Sequence, residues 1–168
     1  MYLRGNLSGG EKQDLTQRES APDDEGKADR AEGSGMKKVL VISDNHRRTE
    51  LMYAIVDLVK PVDLIVHCGD VEVSHIVQLL SERADCPVYV VSGNNDYLGE
   101  YPPVETFMLG EHRVLLTHGH KYRVYSDLTP LYYLAEQEKA DIVLFGHLHI
   151  PIIRKDNGIL LYLEILER

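Results

Sequence analysis

A layered α/β domain is the fold class this sequence predicts, and three observations predict it. Short runs of Val, Leu and Ile alternate with stretches of helical periodicity from Lys37 onward. The first of these runs, Val39–Ser43, is continuously apolar, as a strand covered on both faces must be. After the third run the rhythm changes, and strands follow one another across tight turns. Together these describe a parallel half built from βαβ units, followed by a more antiparallel half.

The elements follow in order. After Val39–Ser43, Thr49 offers an N-cap to a helix whose apolar stripe is Met52, Ile55, Val56 and Val59, stopped by Pro61. Val62–Val66 is the second strand, Ser74 a candidate cap for a helix carrying Ile76, Val77 and Leu80, and Val88–Val91 the third strand. Glu105–Leu109 and Arg113–Thr117 read as a hairpin across Gly110-Glu111. Thr129-Pro130 opens a helix with Leu131, Leu134 and Ala135 inward, since Pro suits the first helical position. Ile142–Phe145 is another buried strand, and Ile150–Arg154 pairs with Ile159–Leu163 through Asn157-Gly158, a strong hairpin signal.

Residues 1–35 stand apart. They are rich in Gly, Ser, Asp, Glu and Lys, lack periodicity, and cannot bury enough apolar surface to offset their ordering entropy, so a disordered extension is expected. Met36-Lys37-Lys38 looks like a natural chain start, which leaves 36–168 as the folded domain. Leu7-Ser8-Gly9-Gly10-Glu11-Lys12-Gln13 resembles the signature segment of ABC-type ATPases, but that segment works beside a P-loop and no G-x-x-x-x-G-K-[ST] occurs in the chain.

A net charge of −9 argues against broad nucleic-acid binding, which needs clustered Lys and Arg. No apolar run approaches the roughly 18 residues that span a bilayer, and no secretory-type core opens the chain, so a cytoplasmic protein is expected. Cys68 and Cys86 have no metal-type spacing and predict no disulfide.

The chemistry lies in five motifs, each where an expected strand ends: Asp44-Asn45-His46, Gly69-Asp70, Gly93-Asn94-Asn95-Asp96, His118-Gly119-His120 and Gly146-His147-Leu148-His149. Asp, His and Asn hold hard-to-borderline divalent metals, and the carboxyl ends of strands are where open α/β sheets bind ligands. Two adjacent divalent ions, about 3.5–4 Å apart, need a bridging oxygen and further ligands on each side. Asp70 is the natural bridge. Asp44 and His46, one residue apart, share a face in an extended segment, as do His147 and His149. Asn94 adds an amide oxygen and His118 another imidazole. Any one of these residues alone reads better as a cap or a polar strand end; the joint pattern favours a shared metal site. Of the remaining histidines, His112 and His75 read as surface residues. His67 reads equally as packing or as an orienting residue behind a ligand, and His120 as a rim residue within reach of substrate.

These motifs resemble those of the calcineurin-like metallophosphoesterases, in particular the small single-domain phosphodiesterases of bacteria and archaea, over Met36 to about Leu163. The resemblance implies a four-layer α/β/β/α sandwich with mixed sheets. It places Asp44, His46, Asp70 and His149 on one metal and Asp70, Asn94, His118 and His147 on the other, with Asn94, Asp96 and His118 in the catalytic machinery. It implies a phosphoric diester hydrolase in which a metal-bridging hydroxide attacks phosphorus in line. The mixed imidazole and carboxylate set points to two transition-metal ions, Mn²⁺ first, with Ni²⁺, Fe²⁺ or Zn²⁺ as alternatives to it. The implied partner is a small phosphodiester substrate, with no membrane. A phosphomonoesterase, and a scaffold of the same fold such as the retromer's small subunit, remain as alternative readings.

Two departures from the family pattern stand out. Asn95 occupies the place where many relatives carry a proton-donating His, and an amide cannot act as a general acid; Asp96 is retained and is expected to orient the Asn94 loop. The Asn-Pro-Gly-Ser turn that usually follows the final hairpin is absent before Arg168, so either a truncated C-terminus or a rebuilt sheet edge is expected. An apolar sheet edge left unpaired there would favour a homo-oligomer.

Overall fold

The computed structural model describes residues 36–97 and 99–163. The expected N-terminal extension, with its ATPase-like segment, and the chain after Leu163 lie outside these residues.

Three parallel strands, β1 (Val39–Ile42), β2 (Leu64–His67) and β3 (Val88–Val90), form the first sheet in that order. They are linked by α1 (Thr49–Val59) and α2 (Ile76–Ala84). The second sheet has the order β4-β5-β6-β8-β7, built from β4 (Val104–Leu109), β5 (His112–Thr117), β6 (Ile142–Leu144), β7 (Ile152–Asp156) and β8 (Ile159–Leu163). Its central strands β5, β6 and β8 run parallel, while β4 and β7 pair antiparallel at the edges. The connection from β5 to β6 carries a 3₁₀ turn (His120–Tyr122) and α3 (Thr129–Glu138).

Side-chain alternation sorts these elements into layers. On β2, Ile65 joins Met52, Val56, Ile76 and Leu80 of the helices, whereas Leu64 and Val66 face Val114, Leu116 and Leu144 of the second sheet. On β5 the intervening Leu115 turns the other way, to Leu131 and Ala135 of α3. The central strands β2, β5 and β6 are therefore covered on both faces, which explains their apolar runs. Because β1, β2, β3, β5 and β6 all end toward the same rim, the five motif loops meet there.

Several local expectations are corrected. Thr49 is the first helical residue and Arg48 takes the N-cap position, with no side-chain cap bond. His75, in left-handed conformation, rather than Ser74, precedes α2, and Val77 points outward at 37% exposure. The second strand starts at Leu64, and the seventh at Ile152, beyond Pro151, whose ring removes a ladder donor.

Candidate metal centre

The ligand-type residues sit on bent backbone. Asp44, His46, Asp70, His147 and His149 all have positive φ, between 44° and 76°. Left-handed backbone costs a non-glycine residue roughly 1–3 kcal/mol and persists where the surrounding structure over-determines it. The expectation that Asp44 and His46 share a face of an extended segment is thereby corrected: consecutive left-handed turns, not a strand, bring the paired side chains together, and the same holds for His147 and His149. Hydrogen bonds hold the turns. Asp44 and His46 donate their backbone N–H groups to the carbonyls of Gly69 (3.0 Å) and Asp70 (3.1 Å). Glycine is required where loops touch: a Cβ on Gly93 would strike the Asp70 carboxylate, and one on Gly146 would strike Ser43 Oγ and approach Asp44 Oδ2 to 2.9 Å.

Two groups of candidate ligands emerge, Asp44 with His46 and His149, and Asp44 with Asp70 and His118; within each the donor atoms lie within 4.8 Å of one another. Rings arrange themselves on the same two sides. His46 stacks on His149 (centroids 5.5 Å apart, planes within 5°), and His147 stands edge-on to His118 at 5.0 Å. Asn94 Oδ1 lies 3.2 Å from His118 Nε2, placing it on the second side. All seven expected ligand residues therefore meet. The carboxylate common to the two groups is Asp44, whereas Asp70, expected as the bridge, lies toward His118, with Oδ2 at 3.5 Å from Nε2.

The donor and acceptor inventory at the centre is lopsided. His118 is fully buried and its Nδ1 donates to the carbonyl of Cys68 at 2.8 Å, which leaves Nε2 facing Asn94 Oδ1, Asp70 Oδ2 and, at 4.0 Å, Asp44 Oδ1. His46 Nδ1 donates to Glu72 Oε1 at 2.8 Å, which likewise turns its Nε2 free of the proton. Asp44 Oδ2 accepts from Ser43 Oγ and from the backbone N–H of His147, but Oδ1 is buried without a hydrogen-bond partner, 3.4 Å from His149 Nε2. Acceptors pointing at acceptors in a buried space call for a cation between them. The same carboxylates act on His118: burial alone would lower its pKa, but Asp70 and Asp44 outweigh this and raise it. Asp70 responds in kind. Burial opposes its ionisation, yet His118 and the Asn95 donors hold it well below the usual carboxylate range. The residues thus fit divalent ions.

Supporting residues explain how the centre is held. Asp96 accepts backbone N–H groups from Asp70 (2.8 Å), Glu72 (2.7 Å) and Gly93 (2.7 Å), so its carboxylate clamps the second loop to the third and is turned to the backbone. His67 is fully buried: Nδ1 accepts from Gly69 N–H at 3.2 Å and Nε2 donates to Asn45 Oδ1 at 2.9 Å, which joins the first two loops from below. His120 lies 5.3 Å from the His118 ring, while His75 and His112 are exposed, His112 beside Asp141 at 3.5 Å.

Two residues were missed. Glu72 holds His46 through one oxygen and Arg47 through the other, each at 2.8 Å. Its signal was a carboxylate two positions after Asp70, meaningful only once a ring nitrogen of His46 needs an acceptor. Asn95 donates to both Asp70 oxygens, from its backbone N–H (2.9 Å) and its side-chain amide (2.7 Å). In the motif alone, its place shows only the lack of an acid.

The model of the calcineurin-like phosphoesterase superfamily domain matches residues 36–163, and the chain belongs to that superfamily. The probable metallophosphoesterase YsnB of Bacillus subtilis is 37% identical over 113 residues, which cover 67% of this chain and 64% of that protein. The chain thus spans a little under two thirds of that relative. The crystal structure of a conserved protein from Streptococcus pneumoniae, described as a predicted phosphoesterase, matches with a TM-score of 0.67 at 32% identity, over 77% of this chain and 73% of that one. An archaeal protein described as a novel phosphodiesterase shares the fold, with a TM-score of 0.62 at 18% identity over 75% and 82% of the two chains. Among the described residues no helix is long and apolar enough to cross a membrane.

Proposed function

We propose that this protein is a metal-dependent phosphodiesterase acting on small phosphate diesters. Its two ions are assigned to Asp44, His46, Asp70 and His149 on one side and to Asp70, Asn94, His118 and His147 on the other. The observation that carries this reading is the unpartnered Oδ1 of Asp44, buried between the imidazoles of both sides. Divalent cations bound there would supply Lewis acidity, offsetting phosphoryl charge and bringing the pKa of water toward neutrality.

The chain's own residues perform the preparation. Glu72 and the Cys68 carbonyl fix the tautomers of His46 and His118, so that both present Nε2. Asn95 holds Asp70 ionised and oriented. Asn95 is thereby occupied as a donor to a carboxylate, which supports a diesterase relying on good leaving groups. The archaeal neighbour's description as a phosphodiesterase supports the same preference.

The test is metal analysis of protein reconstituted with Mn²⁺, paired with turnover of bis(4-nitrophenyl) phosphate and 4-nitrophenyl phosphate with and without chelator. Two ions per chain and chelator-sensitive turnover favouring the diester are expected. One ion or none, or preference for the monoester, would overturn the reading.

A further inference from the structure

Tyrosines in folded proteins commonly bury the ring and leave the hydroxyl in water. Tyr125 does the reverse. Its hydroxyl donates to the carbonyl of His147 at 3.0 Å, while the residue as a whole is 67% exposed. The ring stands 4.8 Å from the His147 imidazole, with planes at 68°. It therefore extends outward the aromatic wall that His147 and His118 form at the centre.

The turn that carries Tyr125 is firmly held. Val124 beside it is 4% exposed and packs in the core under α3. Ser126 and Asp127 donate their N–H groups to the carbonyl of Arg123, at 2.9 and 3.3 Å. A two-torsion side chain already tied at its tip has little freedom left to lose when something settles on its face. An apolar face kept bare, rigid and adjacent to a ligand-bearing loop is a surface for substrate.

We propose that Tyr125 is a stacking platform for a planar aromatic arm of the substrate, so that diesters carrying an aryl group or nucleobase are the preferred class. This rests on the diesterase reading above. The arm concerned is the one retained on phosphorus, and the chemistry of hydrolysis is unchanged.

Three esters that all release 4-nitrophenolate isolate the retained arm: bis(4-nitrophenyl) phosphate, thymidine 5′-(4-nitrophenyl phosphate) and methyl 4-nitrophenyl phosphate. Y125L removes the aromatic face, and Y125F keeps it while losing the tie to His147. Y125L is expected to lower kcat/KM for an aromatic arm about tenfold relative to the methyl ester, chiefly through KM. Loss on the thymidine ester as well as the bis-aryl ester assigns the platform to nucleobases; loss on the bis-aryl ester alone assigns it to smaller aryl groups. Y125F should keep the aromatic preference. Y133A, at an equally exposed tyrosine on α3, is the control and should leave all three rates as they are. Equal losses on all three esters, in Y125L and Y125F alike, or no loss in either, would overturn the platform and leave the diesterase reading standing. Wild-type protein with Mn²⁺ that hydrolyses none of the three would overturn both.

Discussion

The backbone N–H of His147 donates to Asp44 Oδ2 at 3.0 Å, although 103 positions separate the two residues. Asp44 follows the first strand of one sheet, and His147 follows β6 in the other. The bond therefore crosses the rim where the two sheets meet. It also occupies one Asp44 oxygen and aims the second, unpartnered one at the histidines.

Gly146→Ala should break this arrangement. The added Cβ would strike Ser43 Oγ and come within 2.9 Å of Asp44 Oδ2 and 3.1 Å of the Cys68 carbonyl. Overpacking of this kind destabilises by about 1–3 kcal/mol; Ser43 Oγ, the nearest group, must move, and it carries a hydrogen bond to Asp44 Oδ2 that would move with it. Calorimetric titration with Mn²⁺ should show binding lost, alongside a lowered Tm. Unchanged affinity would mean that the packing of Ser43 and Asp44 against Gly146 does not set the ligand geometry.

Glu72→Ala should weaken metal binding without touching a proposed ligand. The carboxylate fixes the proton on His46 Nδ1, and partners of this type are worth about 10–100-fold in metal affinity. Titration with Mn²⁺ measures the change. Affinity within twofold of the parent protein would assign His46 to some other role.

His67 should make the protein acid-sensitive. Burial lowers its pKa to about 4, and in the fold both ring nitrogens are engaged in the neutral form. Between the ordinary value of 6.5 and about 4, the unfolded chain binds the proton and the folded chain does not, so stability falls as pH falls. A shift of this size corresponds to about 3 kcal/mol. His67→Gln keeps a donor and an acceptor but does not titrate. Urea unfolding at pH 7 and pH 4.5 should show a loss larger in the parent by about 2–3 kcal/mol. Equal losses would place the acid sensitivity elsewhere.

Much of this was legible in the sequence because ligand chemistry was concentrated where apolar runs stop. Asp44, Asp70, Asn94, His118, His147 and His149 could be found that way, and the Asn157-Gly158 hairpin declared itself through its turn residues. What escaped depended on contacts between loops. Glu72 matters through His46, 26 positions away, and Asn95 through Asp70, 25 positions away; no local pattern encodes either. The left-handed turns escaped too, because Asp and His carry none of the glycine signal by which such backbone is read. The turns also set how the carboxylates are disposed: Asp44 belongs to both candidate groups and Asp70 to the one with His118, a difference that spacing alone does not show.

Leaving-group dependence should be steep. Asn95 donates to Asp70 and cannot supply a proton, and general acid catalysis is typically worth about 10²–10⁴-fold for basic leaving groups. Across a series of aryl phosphodiesters, kcat/KM should fall as the pKa of the departing phenol rises. Asn95→His should not simply flatten that dependence, because the change also removes a hydrogen bond from Asp70. A flat series in the parent protein would identify another proton donor, with His120 the first to test by substitution.

The cross-sheet tie between Asp44 and His147 has a consequence well away from the rim. Ligands from both sheets keep their spacing only while the layer between the sheets, where Val66 meets Leu116 and Tyr89 stacks on Phe107 at 4.2 Å, holds its thickness. Metal affinity becomes a gauge of that thickness. Trimming Phe107 would let one sheet slip against the other and pull Asp44 and His147 apart, so that a hydrocarbon change between the sheets would be felt as a change in inorganic chemistry.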